Sequence, residues 1–456
     1  MLSLPPTDGA HRSAAPTDAG GVRVLLGNDF SEDVRDDRRW TGWWVQRLIW
    51  FARDGDVLVL PGAPDEAFLE YATALTGTRR DTLTVVVPPA EDAEAAGTLG
   101  PARLADPSFV AELRKAVDGR RVAHLSALWP DPAVARLARQ LGLAAAMPGH
   151  GFVSQGGGLL VNSKSVFRAV AGGAGVPVPD GAVCTNPESA ERVVLDLLEG
   201  GEAVVLKHDF LSGGRGNEIL STDPTVRPIG ARRVVHVTGA GDVRDYLAER
   251  WAWLSGGGRS RPVVERYHRD SSAFFAEYLV GDSGTDLGGT GELLSAPYAV
   301  GQVMPAQGLE PEVLDQLFRG AERLGEALRA IGYRGVLSPD AIVTPEREVL
   351  FTEFNGRVTG STHIYGVIGR TVTGAGFGRD RIILERVWPE GWSTPSFAAA
   401  LARLTEAGLA YRPDTRTGVV LTNAFDGVNG VMYCVVAEDL DRAWACDRSL
   451  AELFGA

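Results

Sequence analysis

YRGVLSPDAIVTPEREVLFTEFNGR, residues 333–357, carries the densest chemical signal in the chain. Its two apolar runs, joined by the turn TPERE, read as a pair of adjacent strands. Glu353 and Asn355 lie two residues apart on the second strand, so alternation points both side chains to one face. Asp340 on the neighbouring strand can complete an oxygen cluster around one hard cation. Surface acids flanking a hairpin are the plain alternative. Oxygen donors suit Mg²⁺, whereas Zn²⁺ would favour Cys/His sets that are absent here.

Upstream, VVLKHDFLSGGRGNEIL at 204–220 reads as a strand, a glycine loop over 211–217, and a return to extended chain. Backbone amides at Ser212, Gly213, Gly214 and Gly216 can approach an anion closely, because the glycines bring no Cβ. The pattern is not the phosphate loop GxxxxGK[ST]: Lys207 precedes the glycines on a strand instead of following them into a helix. The chain writes nearly all its positive charge as arginine, keeping only Lys115, Lys164 and Lys207 as lysines. Lys164 stands in NSKSVF, where Asn162 or Ser163 can cap a helix, ahead of the extended segment Val176-Pro177-Val178-Pro179.

With 456 residues, 45% hydrophobic and 23% charged, the chain has material for two to four packed domains and too much apolar content for wholesale disorder. A formal net charge of −13 disfavours a large nonspecific nucleic-acid surface. Cys184, Cys434 and Cys446 are too scattered for a disulfide framework or a metal set, and fit three thiols in a reducing compartment. No window approaches the roughly 20 apolar residues needed to span a bilayer. A soluble, cytoplasmic protein with neither nucleic acid nor membrane as partner is expected, and a homo-oligomer stays open.

Four β-rich runs at 22–26, 56–60, 83–87 and 122–128, separated by helical patterns, predict a small α/β domain at the start of the chain. Trp40, Trp43, Trp44, Trp50 and Phe51 concentrate aromatic area after the first run, where packing is the ordinary role. Gly151–Gly158 reads as a flexible connection and 366–378 as a glycine-rich passage. The clearest helix covers about 311–331, and two further strand candidates, GVVLTNAF and GVMYCVVA, precede a last helix near 438–454.

The lysines, glycine loop and hairpin together resemble the ATP-grasp ligase family. The resemblance implies an α/β ATP-grasp fold: a flexible tail at 1–21, a pre-ATP-grasp domain at 22–153, a small subdomain with its lid at 154–265, a large subdomain with the magnesium site at 266–385, and a small C-terminal α/β appendage at 386–456. It assigns Lys164 and Lys207 to the phosphates of ATP, with Ser212, Gly213, Gly214, Arg215 and Gly216 in the covering loop. VVERY at 263–267 matches the family's hinge, so that Glu265, Arg266 and His268 would read the adenine side and Glu277 the ribose or the site wall. Asp340, Glu353 and Asn355 map onto magnesium ligands, two ions being expected during turnover. Arg357, with Lys207, would stabilise the transferred phosphoryl group. His363 in TGSTHIYG invites a general-base role toward an incoming amine, but a lone histidine more often packs, and it stays outside the catalytic set.

The activity so implied is ATP-dependent joining of a carboxylate to an amine through an acyl phosphate, with ADP as product. The organisation of the whole chain is further similar to pheganomycin-type peptide ligases. That likeness implies a nonproteinogenic amino-acid donor with a free carboxylate, and a ribosomal peptide acceptor with a free N-terminal amine. The alternatives are an amino-acid ligase using small amines, a carboxylase, and a nucleotide-binding interaction protein without catalysis.

Overall fold

The computed structural model describes residues 20–28, 44–90, 97–201, 203–427 and 430–455. Three sheets organise them. The first contains β1 (Val22–Leu26), β2 (Val57–Val59), β3 (Thr84–Val86) and β4 (Val122–Ala127), in the order β3-β2-β1-β4 with every pairing parallel. Its central strands are apolar runs because helices cover both faces. Asp65, Asp106 and Asp131 each cap one of these helices by accepting first-turn N–H groups, and two of them are followed by Pro at the first helical position.

The second sheet holds β5 (Gly181–Val183), β6 (Ala203–Lys207), β7 (Asn217–Ser221), β8 (Val234–His236) and β9 (Val263–Arg266), in the order β5-β9-β6-β7-β8. Val204, Leu206 and Val264 face the helices Pro187–Glu199 and Ala240–Leu254. The intervening residues Val205, Lys207 and Glu265 therefore point the other way.

The third sheet is antiparallel and has eight strands, in the order β14-β13-β10-β11-β12-β15-β17-β16. They are β10 (Ser272–Val280), β11 (Thr285–Ser295), β12 (Ala299–Met304), β13 (Gly335–Val343), β14 (Val349–Asn355), β15 (Ile382–Arg386), β16 (Gly418–Leu421) and β17 (Tyr433–Ala437). The C-terminal strands thus prolong the sheet that carries the 333–357 hairpin. The helix Pro311–Ala330 packs Val313, Leu317, Leu324 and Leu328 against its outer face. Among the described residues, no helix is long and apolar enough to cross a membrane.

Several segments differ from the sequence reading. Gly151–Gly158 lies in two short helices, His150–Ser154 and Gly157–Leu160, and is no flexible connection. Gly158 is pressed so closely on the Pro130 carbonyl that a Cβ there would fall 1.6 Å from the oxygen. The passage 366–378 is largely a π-helix, Ile364–Thr373. Strands β11 and β12 had no sequence signal, since glycine lowers strand propensity. Their glycines have a packing reason: a Cβ on Gly289 would meet the Tyr365 ring at 2.5 Å, so the π-helix can lie flat on the sheet. Trp44, Trp50 and Phe51 belong to a 3-10 helix, Trp44–Phe51, while Trp40 and Trp43 fall outside the described residues. Trp50 is buried edge-on to Phe68 and Tyr71, the packing role expected of it. All three cysteines are free thiols.

Candidate active site

Strands β13 and β14 pair Asp340 with Glu353 and Ser338 with Asn355. Simple alternation along β14 would put Phe351, Glu353 and Asn355 on one face, yet Phe351 and Phe354 are both buried in the apolar cluster behind the sheet. A β-bulge beside Asp340 resolves this. Its extra residue flips the alternation, sending Phe354 to the core and freeing Glu353 and Asn355 for the inner face.

Asn355 Nδ2 donates to Asp340 Oδ2 at 3.1 Å and to the Ser338 carbonyl at 3.3 Å. Burial, and then the neighbouring Glu353 carboxylate, push the Asp340 carboxyl well above its ordinary range. Burial works in the same direction on Glu353, but Lys164, Lys207 and Arg357 outweigh it and hold that carboxylate below the usual range. Two carboxylates and an amide form the donor set, and among the described residues no metal-holding group of three acidic, His or Cys side chains exists. That composition fits a hard cation completed by phosphate oxygens and water, as Mg²⁺ prefers.

Lys164 opens the helix Lys164–Gly173, capped by Ser163, whose Oγ accepts from Val166 N. Asp209 fixes this turn to the start of the glycine loop: it accepts from Ser163 Oγ at 2.9 Å and from Ser165 N at 2.8 Å. Lys164 Nζ then donates to the Leu211 carbonyl at 2.7 Å and to Glu353 Oε2 at 2.8 Å. One ammonium thus joins the loop to the β13–β14 hairpin. On the adjoining sheet Lys207 pairs with Glu265, whose other oxygen accepts from Arg168 Nη1 at 2.6 Å.

The sequence reading missed Arg168 and Asp209. Arg168 lies four residues beyond Lys164 on one helix face, and Asp209 two beyond Lys207, so both spacings were available.

In the glycine loop Gly213 and Gly214 adopt left-handed φ of 64° and 81°, and a Cβ on Gly214 would meet the Gly230 backbone at 2.9 Å. The loop leans on the turn between β11 and β12, where Ala299 N donates to Gly213 O at 3.5 Å. Gly216 is buried, and its carbonyl accepts from His208 N at 2.7 Å. Ser212 is half-buried. Arg215 is exposed and stacks over Tyr298, 5.2 Å from its centroid, so it is not drawn to the lysines.

Arg266 lies on the face of β9 opposite Glu265, and its Nη1 donates to the Gly200 carbonyl at 2.7 Å. His268 lines a separate shallow cavity with Tyr267, Arg269, Pro345 and Glu346. Neither side chain is brought to the lysine cluster. Glu277 is fully buried, accepting from Thr359 Oγ1 at 2.7 Å and from the Tyr365 hydroxyl. Burial raises its carboxyl above the ordinary range.

Arg357 follows the hairpin and reaches the joint with the first domain. Its Nη1 donates to Asn162 Oδ1 at 2.5 Å and its guanidinium stacks over Trp129 at 4.8 Å. Val358 N donates to the Leu128 carbonyl at 3.0 Å, seating the first sheet directly beside this cluster. His363 is 1% exposed, and burial with the nearby Arg47 charge drives its imidazole well below the usual range, so it is neutral.

The pre ATP-grasp domain family matches residues 45–143 and the PGM1 C-terminal domain family residues 399–450. The L-propargylglycine–L-glutamate ligase of Streptantibioticus cattleyicolor is 26% identical, over 89% of this chain and 88% of its own length. The biotin carboxylase of Campylobacter jejuni, solved as a β,γ-ATP complex, superposes with a TM-score of 0.58 at 14% identity, over 95% of this chain and 91% of that one. The biotin carboxylase domain of the 2-oxoglutarate carboxylase of Hydrogenobacter thermophilus, solved with MgADP, ADP and bicarbonate, gives 0.57 at 12% identity, over 95% and 90%. At such identities the structural likeness speaks for the fold. The chain has the α/β ATP-grasp fold, with a pre-ATP-grasp domain at its N-terminal side.

Proposed function

We propose that the protein is an ATP-dependent carboxylate–amine ligase that joins the carboxylate of one amino acid to the amine of another small amino acid. The observation that carries this reading is the bridge from Lys164 to both the glycine loop and Glu353, with Lys207 and Arg357 acting on the same carboxylate. In this reading Lys164 and Lys207 bind the phosphates of ATP, which displace their present carboxylate partners, and the loop 211–217 covers them. Asp340, Glu353 and Asn355 would hold magnesium, which neutralises phosphate charge when bound.

The donor carboxylate attacks the γ-phosphorus of ATP and releases ADP. The acceptor amine then attacks the activated carbonyl, losing a proton as phosphate leaves. Arg357 stabilises the oxygen charge that develops in both steps, and a closed loop keeps water from the acyl phosphate. Dependence on ATP suits a cytoplasmic reaction.

A small amino-acid acceptor is favoured over a ribosomal peptide because the relative alike over nearly its whole length is named for joining two amino acids. The finer peptide-ligase reading, with a peptide N-terminus as acceptor in natural-product biosynthesis, is separated from it by competition. The protein is given ATP, Mg²⁺, an amino-acid donor such as L-propargylglycine, and an equimolar mixture of L-glutamate and a short peptide. Mass spectrometry should find the dipeptide together with ADP and phosphate. AMP and pyrophosphate as the nucleotide products would remove the acyl-phosphate route, and an amide formed on the peptide alone would move the acceptor to the peptide class.

A further inference from the structure

Ser163, and not Asn162, caps the helix Lys164–Gly173, which leaves the Asn162 side chain for another task. Asn162 is buried, and its Nδ2 donates to the Gly158 carbonyl at 2.8 Å and to the Gly356 carbonyl at 3.3 Å. Only the amide nitrogen can serve two carbonyls, so the side chain has a single orientation. Its Oδ1 is thereby turned to Arg357, whose Nη1 donates to it at 2.5 Å.

Trp129 supplies a second contact, its ring centroid 4.8 Å from the guanidinium carbon. Asn28, just past β1, spends both ends of its amide on the Trp129 backbone: Nδ2 donates to the carbonyl at 2.9 Å, and Oδ1 accepts from the N–H at 3.3 Å. Gly158 locks the two contacts to each other. Its carbonyl holds Asn162, while its Cα lies so close to the carbonyl of Pro130, the neighbour of Trp129, that no side chain fits there. The backbone around Arg357 is fixed as well. Gly356 N donates to the Val161 carbonyl at 2.8 Å, and Thr359 Oγ1 donates to the buried Glu277 at 2.7 Å.

Each residue of the turn 162–164 therefore grips a different part of the site. Asn162 holds Arg357, Ser163 holds Asp209, and Lys164 reaches both Glu353 and the glycine loop. A long side chain left free samples many rotamers, and a misplacement of about 1 Å in a reacting group can cost on the order of 10²-fold in rate. We propose that Asn162 is a positioning residue for the ligase step, forming with Trp129 a cradle that fixes the Arg357 guanidinium relative to Lys164. This rests on the ligase reading above and adds to it a residue outside the reacting set. A simple clamp between the first domain and the hairpin would use the same contacts, so orientation of Arg357 has to be separated from cohesion of the fold.

The test is donor-dependent ADP release by the full chain, with Asn162→Ser introduced into the native protein and into Arg357→Ala. Serine can bond back to the Gly158 carbonyl four residues before it, which preserves the turn, but it is too short to present an acceptor to Arg357. In the native background the substitution should lower kcat at least about tenfold and move the KM for ATP less than about twofold, as expected of an interaction expressed in the transition state. In the Arg357→Ala background it should change kcat less than about twofold, because the two residues act as a unit. Trp129→Leu, which removes the ring from the other side of the cradle, should repeat the pattern in both backgrounds, and it decides the matter if Asn162→Ser does not fold.

Equal losses in the two backgrounds, an undiminished kcat, or a change confined to the KM for ATP would each overturn the inference. Native protein that releases no donor-dependent ADP would defeat the ligase reading instead, and the cradle is then judged without turnover. Guanidinium ion, added to Arg357→Ala below denaturing concentration, should shift the Trp129 indole resonance, assigned by its loss in Trp129→Phe. With Asn162→Ser also present, the ion should bind at least about fivefold more weakly, since one of its charge-assisted hydrogen bonds is gone. Equal guanidinium binding with either residue at position 162 would overturn the cradle.

Discussion

Glu353 and Glu385 lie on the same face of one sheet. The pairings Asp340–Glu353, Phe275–Asp340, Glu277–Gly289, Leu293–Gln302 and Gln302–Glu385 carry that face without interruption from β14 to β15. Yet Lys164, Lys207 and Arg357 pull the Glu353 carboxylate below its ordinary range, whereas burial pushes Glu385 up to about 7. Among the described residues Glu385 receives only a neutral donor, Gln302 Nε2 at 2.8 Å, and the Gln302 Oε1 in turn accepts from Ser361 Oγ at 2.7 Å. Burial is common to both, so the protonation state is set by the cations. The fold concentrates fixed positive charge at the hairpin end and leaves the far end to uncharged hydrogen-bonding groups. Charge gathers where phosphate would be handled, and neutral polarity at the far end of the same face.

The contrast breaks most violently if an acid is taken from the charged end. Glu265 is 1% exposed and lies between Lys207 and Arg168. Glu265→Ala would leave two buried cations without their shared carboxylate, and stripping one partner from a buried ion pair costs about 3–5 kcal/mol. Urea unfolding should register a loss of that order. A loss under about 1 kcal/mol would mean that the cluster is better hydrated than its burial implies.

Arg357→Ala tests the same end through chemistry. Removing one group that stabilises developing charge lowers turnover by about 10²–10³, roughly 3–4 kcal/mol. ADP release should fall in kcat with little change in the KM for ATP. A change confined to KM would reassign Arg357 to substrate binding.

At the neutral end the sharpest prediction concerns pH. An ordinary glutamate in the unfolded chain titrates near 4.5, and folding raises Glu385 to about 7. Below the unfolded value both states are protonated and the difference has no effect. Between the two values the folded state binds more protons, so stability falls as pH rises, and it is flat again above the folded value. Glu385→Gln removes this dependence. The variant should gain up to about 3 kcal/mol over the native protein at pH 8 and nothing at pH 4, because each tenfold change in proton affinity on folding is worth ~1.4 kcal/mol. Parallel stability curves for the two proteins from pH 4 to 8 would show that Glu385 does not titrate there.

How far the sequence could be read follows the same division. Asp340, Glu353, Asn355, Lys164, Lys207 and Arg357 were legible because each sits in a short local pattern, and short-range geometry brings most of them together. Even so, the decisive detail of the hairpin was hidden: two-residue spacing gave Glu353 and Asn355 a common face, but it could not tell that a bulge detaches that face from Phe351. Strands β11 and β12 were invisible because their glycines serve a distant ring, Tyr365, which no local window contains.

Arg215 gives the smallest expected effect and bears on what the loop does. The family resemblance puts it among the phosphate contacts, while the structure leaves it exposed over Tyr298 on the β11–β12 turn. Cation–π contacts at exposed positions contribute roughly 0.5–1 kcal/mol, and a guanidinium in water gives up little solvation to make one. If the loop closes as it now lies, Arg215→Ala should change turnover no more than about threefold and leave the KM for ATP unmoved, on that same scale. If instead the loop swings inward once ATP is bound, the guanidinium leaves Tyr298 for the phosphates. The substitution would then cost tenfold or more, and Tyr298→Ala, by freeing Arg215, would lower the KM for ATP. The pair of variants therefore reads out loop motion from steady-state kinetics: a silent Arg215→Ala with a silent Tyr298→Ala fixes the loop in place, and opposite effects set it in motion.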